Sequence, residues 1–313
     1  MTDLAAEPIR LDPSRRYIDL ARLGKTDWRS GLKGLVRIAT YGAAGILVGS
    51  VVGVLPVVIA VGGNKTELAS FNPAIMLFVG VVATLALMKG TQHAVVLSQR
   101  RPFWSVIGPT RGLAIGHVII GIMLALAAEI LAAATISRMS VWSAIWLNFP
   151  VSGIALLSAG ANILFVVIQA TSEELIFRGW LTQSLGQAIR SRFLLVLLVA
   201  LLFALGHGFS HGILALPYFM LMSLGFSILS LRDGRLELAI GAHIAHNCLS
   251  VTMPPKGELP SLFVGSHGML GPLTLAESGI ELVLVCGFAE LLRRYGWLSP
   301  SAGQGTAPPP EYP

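Results

Sequence analysis

Long apolar runs, separated by short polar stretches, organise the chain from about residue 35 to residue 292. Eight of them read as helices, at 35–61, 72–97, 113–137, 151–179, 193–207, 212–231, 237–253 and 273–292. Most reach the ~17–25 apolar residues needed to cross a hydrocarbon core, although the fifth and seventh are short on this reading. The pattern predicts an all-α fold, a polytopic integral membrane bundle of about eight transmembrane helices. One membrane domain spans 33–295, after an interfacial N-terminal segment (1–32) and before a Pro-rich tail (296–313) read as disordered. Gly45, Gly49 and Gly53 form a double G-x-x-x-G in the first helix, and Gly112 and Gly116 repeat the spacing once at the start of the third. Such spacings let neighbouring helices approach closely. Trp142, Trp146 and Pro150 suit an interfacial belt.

Composition supports this pattern. Of 313 residues, 54% are hydrophobic and 12% charged, whereas a soluble domain carries about 25% charged residues. The formal net charge of +6 matters mainly through its placement. With loops alternating from a cytoplasmic N-terminus, eighteen Lys and Arg residues fall on the cytoplasmic side, three on the other, and Lys89 lies within the second helix. The positive-inside rule then puts both termini in the cytoplasm. No basic domain with stacking aromatics lies outside the apolar helices, which excludes a nucleic-acid partner. Residues 1–30 lack the apolar core of a cleavable signal peptide. Cys248 and Cys286 fall inside predicted helices without metal-type spacing.

Charge inside the apolar helices is rare, which draws attention to Thr171–Trp180. An ionised side chain there costs at least ~2.5–3.5 kcal/mol, so Glu173, Glu174 and Arg178 ask for an explanation. Glu174 and Arg178 are four apart and share a helix face, where they can pair. Glu173 is rotated about 100° away and is left to bind or deprotonate water. The plainer reading is a helix end bearing surface charges. Phe203 and His207 follow on the next helix, and a lone histidine there is commonly a packing residue. Next come His243, His246 and Asn247. His243 and Asn247 lie at i and i+4 and face the same way, able to bind a metal or polarise a carbonyl. His246 is turned off that face and reads as a bystander.

Together, E-E-x-x-x-R, F-x-x-x-H and H-x-x-x-N, each on its own apolar helix, resemble the CPBP family of intramembrane proteases. That family groups type II CAAX prenyl endopeptidases with bacteriocin-processing and immunity proteins, and is also called the ABI family. The resemblance covers about 150–253. It implies an endopeptidase, with Glu173 activating water and His207 as its partner in proton transfer or metal binding. It further implies that His243 and Asn247 stabilise the oxyanion, or that His243 joins Glu173 and His207 as a metal ligand. Glu174, Arg178 and Phe203 would support them. A zinc enzyme and a metal-independent one remain equally open at this point, since the usual helical zinc signature H-E-x-x-H is absent.

The implied substrate is a membrane-associated peptide or protein, such as a CAAX-like tail or a bacteriocin-like leader, and membrane lipids surround the site. An Ala-, Gly- and Leu-rich makeup suits a bacterial inner membrane. A non-catalytic scaffold or immunity protein is the alternative, and a transporter using Glu129 and Glu173 is disfavoured by the lack of repeated halves. Depth is the main difficulty. Were the fourth helix to end at Gly179, Glu173 and His207 would lie roughly 22 Å apart. The reading therefore needs that helix to run on towards Ile189.

Lesser candidates are set aside. Gly208–Gly212 fits G-x-S-x-G but joins two helices, with Ser210 and His211 expected in a tight turn. Lys89, His117 and Glu129 suit helix-packing hydrogen bonds. Glu277 and Glu281 are expected near a helix N-terminus, which tolerates acid. Asn64 begins a glycosylation sequon.

Overall fold

A computed structural model describes residues 13–62, 65–136, 153–211, 215–252 and 272–298. All its regular elements are helical: Pro13–Asp19 (α1), Trp28–Ala60 (α2), Lys65–His93 (α3), Ile115–Ile136 (α4), Gly153–Glu174 (α5), Thr182–Leu185 (α6), Arg192–His211 (α7), Leu216–Asp233 (α8), Glu237–Thr252 (α9) and Pro272–Arg294 (α10). Helices thus occupy all eight apolar runs. Four stretches are long and apolar enough to cross a membrane by themselves, namely Trp28–Ala60, Ala74–Ser98, Ile115–Ala132 and Leu156–Leu185. The chain is an integral membrane protein on that ground.

Of the later helices, α8 and α9 are short and mostly interior. In α8, Tyr218, Met222, Ser223, Phe226, Ser227 and Ser230 are all buried, and α9 is buried from Glu237 to Ala245. Such helices bury their polar groups against protein, so they do not need a continuous apolar surface.

Glycines set the helix spacing. In the α2–α3 hairpin, a Cβ at Gly45 would lie 2.9 Å from the Ala83 Cα, and one at Gly49 would lie 3.1 Å from the Val79 Cα. By contrast, Gly112 and Gly116 have nothing within 4 Å of a Cβ, so the expected packing role fails there. The close approach belongs instead to Gly121 on α4 and Gly241 on α9. A Cβ at Gly241 would lie 2.9 Å from the Val118 carbonyl carbon and 3.0 Å from the Ile122 nitrogen. The outer face of α2 exposes Leu35, Val36, Leu47, Val51, Leu55 and Ile59, a surface suited to lipid.

One end of the bundle is closed by α1. Tyr17 is fully buried, and its hydroxyl donates to the carbonyls of Val106 (2.7 Å) and Arg178 (3.2 Å). Burial pushes this phenol well above its ordinary range. Tyr17 is therefore a plug in the protein. Gln187 donates to the Ile18 carbonyl (2.9 Å), Lys25 N to the Gln99 carbonyl (2.6 Å), and Leu236 N to the Ile107 carbonyl (2.8 Å). These bonds collect residues 13–25, 99–107, 178–187 and 232–237 at a single end. Asp27 caps α2 by accepting from Ser30 N (3.0 Å), which holds its carboxyl below the usual range. The expected Trp142–Pro150 belt, the Asn64 sequon and the tail from residue 299 lie outside the described residues.

Candidate active site

The fourth apolar run does not stop near Gly179. Beyond α5 the chain winds a π-helical segment, Leu175–Leu181, and passes directly into α6, ending at Leu185. The wider π turns carry Arg178 inward while the helix continues. Glu173 thereby sits within the bundle, four residues after Gln169 and facing the histidines of α7 and α9. The depth difficulty disappears: Glu173 Oε1 is 3.9 Å from His207 Nε2, and its Oε2 is 3.6 Å from His243 Nε2.

Each group is held from behind. His243 Nδ1 donates to Glu174 Oε1 at 2.8 Å, and the same oxygen accepts from Arg178 Nη1 at 2.8 Å. Arg178 is fully buried and turns Nη2 onto Ser223, both its hydroxyl (2.8 Å) and its carbonyl (3.3 Å). Its guanidinium lies 4.5 Å over the Phe203 ring and 5.3 Å from that of Phe226, so charge and aromatic face meet. Phe203 also flanks His207, with ring centroids 4.3 Å apart, while Phe219 stacks on the other side at 4.5 Å. Phe226 stacks on His243 at 4.6 Å. These walls fix both imidazole planes.

The imidazole tautomers follow from their partners. His243 Nδ1 faces a carboxylate and His207 Nδ1 faces the Phe203 carbonyl (2.9 Å), both of which only accept. Both Nδ1 atoms therefore carry hydrogen, and both Nε2 atoms turn on Glu173. Glu173 Oε2 is buried and has no hydrogen-bond partner among the described residues. An acceptor left dry at such a convergence suits a water, a substrate group or a metal ion. Glu173, His207 and His243 are of the donor types that zinc takes, and each imidazole has its far nitrogen engaged.

Gln169 was not singled out from the sequence. Its amide N–H donates to Glu173 Oε1, and its carbonyl accepts from Asn247 Nδ2 at 2.9 Å. It links the two outer motifs. Its position four residues before Glu173 was the available signal. Ser223 was equally unmarked, being one serine among many on an interior helix.

The residues read as minor are rearranged. Lys89 bonds Gln92 (2.8 Å) and His117 pairs with Asp233 (2.8 Å). His246 is not a bystander: its Nδ1 lies 2.6 Å from Glu129 Oε1 and 3.3 Å from Glu281 Oε1. Glu281 is buried there, so it is paired within the bundle and not merely tolerated near a helix start. Ser210 and His211 continue α7, and the expected tight turn does not form at them. Gly212 lies outside the described residues, as does the side chain of Glu277.

Comparison with known proteins agrees with the motif reading. Residues 155–249 match the family described as type II CAAX prenyl endopeptidase, Rce1-like. The uncharacterized protein YyaK of Bacillus subtilis (strain 168) is 31% identical over 156 residues, covering 47% of this chain and 51% of that protein. The chain thus spans about half the length of the curated relative it matches. No solved structure matches. Across residues 155–249, which hold Glu173, Glu174, Arg178, Phe203, His207, His243 and Asn247, the chain is matched to the Rce1-like type II CAAX prenyl endopeptidase family.

Proposed function

We propose that the protein is an intramembrane endopeptidase that hydrolyses a peptide bond in a membrane-associated protein or peptide. The observation carrying this reading is the unpartnered Glu173 Oε2, buried where the Nε2 atoms of His207 and His243 converge. In the sequence we propose, a water lies between Glu173 and His207 and gives one hydrogen to each. As its oxygen attacks the carbonyl carbon, Glu173 takes the proton. The new oxyanion faces His243 Nε2 and the Asn247 amide. With Nδ1–H committed to Glu174, His243 donates from Nε2 only when doubly protonated. Glu173 then passes its proton to the amide nitrogen, and the C–N bond breaks to release an amine and a carboxylic acid.

A zinc ion held by Glu173, His207 and His243 would lower the pKa of a bound water to about 7. All eight long helices cross the membrane in this reading, with both termini cytoplasmic in a bacterial inner membrane. A CAAX-like tail is the substrate class that the family match supports, and a leader peptide is the other class that the motif resemblance implies.

The test is cleavage of a quenched peptide library, prenylated tails included, by the purified protein in detergent. Glu173→Gln and His207→Ala are expected to lower turnover about 10²–10⁴-fold. Turnover unchanged in a folded Glu173→Gln protein sinks the mechanism. A folded wild type that binds peptides and cleaves none is a scaffold instead.

A further inference from the structure

The candidate active site uses one face of α9. The next face carries His246, and around it three further helices bring polar groups into apolar surroundings. Glu129 comes from α4, Glu281 from α10 and Tyr218 from α8. The three potential ligand atoms of Glu129, His246 and Glu281 all lie within 4.8 Å of one another. Side-chain exposure is 17% for Glu129, 12% for His246 and 7% for Glu281, so the group is mostly enclosed.

Two carboxylates side by side need compensating charge. Among the described residues no lysine or arginine pairs with either one. With a neutral imidazole the group stands at minus two, which a divalent cation would bring to zero. The second observation is Tyr218. Its hydroxyl oxygen lies 2.7 Å from His246 Nε2 and can accept the hydrogen of that nitrogen, which leaves Nδ1 facing the two carboxylates. A hydrogen bond on the far nitrogen is the usual support of a metal-bound histidine.

We infer that Glu129, His246 and Glu281 form a binding site for a divalent transition metal of the zinc class, separate from the candidate active site. One nitrogen and two carboxylates suit zinc, whereas magnesium and calcium prefer all-oxygen sets. Tetrahedral zinc needs donor atoms ~3.4 Å apart, given bonds of about 2.1 Å. The 3.3 Å from Nδ1 to Glu281 already fits. The 2.6 Å to Glu129 is a hydrogen-bond spacing and opens slightly on metal entry. Three protein donors leave a fourth position for water. The site ties α4, α9 and α10 together, and α9 also carries His243 and Asn247. It does not depend on the protein being a protease.

The test is zinc and cobalt loading of the purified full-length protein, with metal content read by elemental analysis and donor type by X-ray absorption. Glu129→Gln and Glu281→Gln are each expected to lose about one equivalent of bound zinc, while Glu173→Gln keeps that equivalent. X-ray absorption of the wild type, which needs no variant, is expected to show one imidazole donor with oxygens. Two imidazole donors, or zinc lost on Glu173→Gln and kept on Glu281→Gln, would place the metal at the active site and overturn the inference. Absence of bound zinc in the folded wild type overturns it as well.

Discussion

Glu174 accepts from both Arg178 and His243 at one oxygen, and that sharing makes Arg178 the residue on which the candidate site most depends. Replacing it with Met leaves Glu174 buried without its guanidinium, a change that costs about 3–5 kcal/mol when a buried pair is broken. Arg178→Lys keeps the charge and loses the Ser223 bonds together with the planar contact on Phe203, so it should fall between. Unfolding in mixed micelles measures both, and equal stability of wild type and Arg178→Met would refute the pairing. Gln169 acts differently, since its amide only positions Glu173 and Asn247. Gln169→Leu should lower kcat about 10²-fold through misplacement, with KM little changed. A KM rise at constant kcat would assign Gln169 to substrate binding.

At the level of helices, backbone contact decides what is sensitive. Gly241→Ala forces α9 off the Val118 carbonyl and should destabilise by about 1–3 kcal/mol. Gly116→Ala meets open space and should be neutral within about 0.5 kcal/mol. Equal effects of the two would mean that α4 and α9 do not touch as described. The cap of α2 gives a pH dependence. Asp27 titrates lower folded than unfolded, so its stabilisation is present above the unfolded pKa and fades as pH falls through the folded one. Asp27→Asn keeps an acceptor and does not titrate. Wild type should therefore lose stability relative to Asp27→Asn in the acid limb alone, and parallel acid limbs would count against the cap. Helix positions were readable from apolar runs, because a run of that length in this composition has few other fates. The α4–α9 contact was not: Gly121 and Gly241 stand alone, outside any G-x-x-x-G. His246 was misjudged for a related reason. Helical spacing showed that it faced away from His243, and only packing reveals that Glu129 and Glu281 wait on that side.

At the scale of the whole molecule, orientation decides which compartment supplies the substrate. The eighteen-to-three split of basic residues rests on sequence, and the fold adds an independent constraint. Pro13 lies against Gly234 at the end of α8, and Arg232 of that helix bonds Glu290 near the end of α10 at 2.6 Å. The first and last described helices therefore meet at one end, while Ala60, at the far end of a 33-residue α2, lies about 50 Å away along that helix. Thr26, Tyr295 and Ala60 are all exposed and suit single cysteines, in a background where the half-buried Cys248 and Cys286 are replaced. A membrane-impermeant thiol reagent should modify Thr26→Cys and Tyr295→Cys together from the cytoplasmic face, and Ala60→Cys from the opposite one. The reverse pattern keeps the bundle but inverts the protein, and would bring substrates from the other compartment. If Thr26→Cys and Tyr295→Cys react from different faces, the closure of the bundle by α1 is wrong, and with it the contact from Tyr17 to the backbone of Arg178. The experiment thus bears on the active site as well as on orientation, since Arg178 holds Glu174 and Glu174 holds His243.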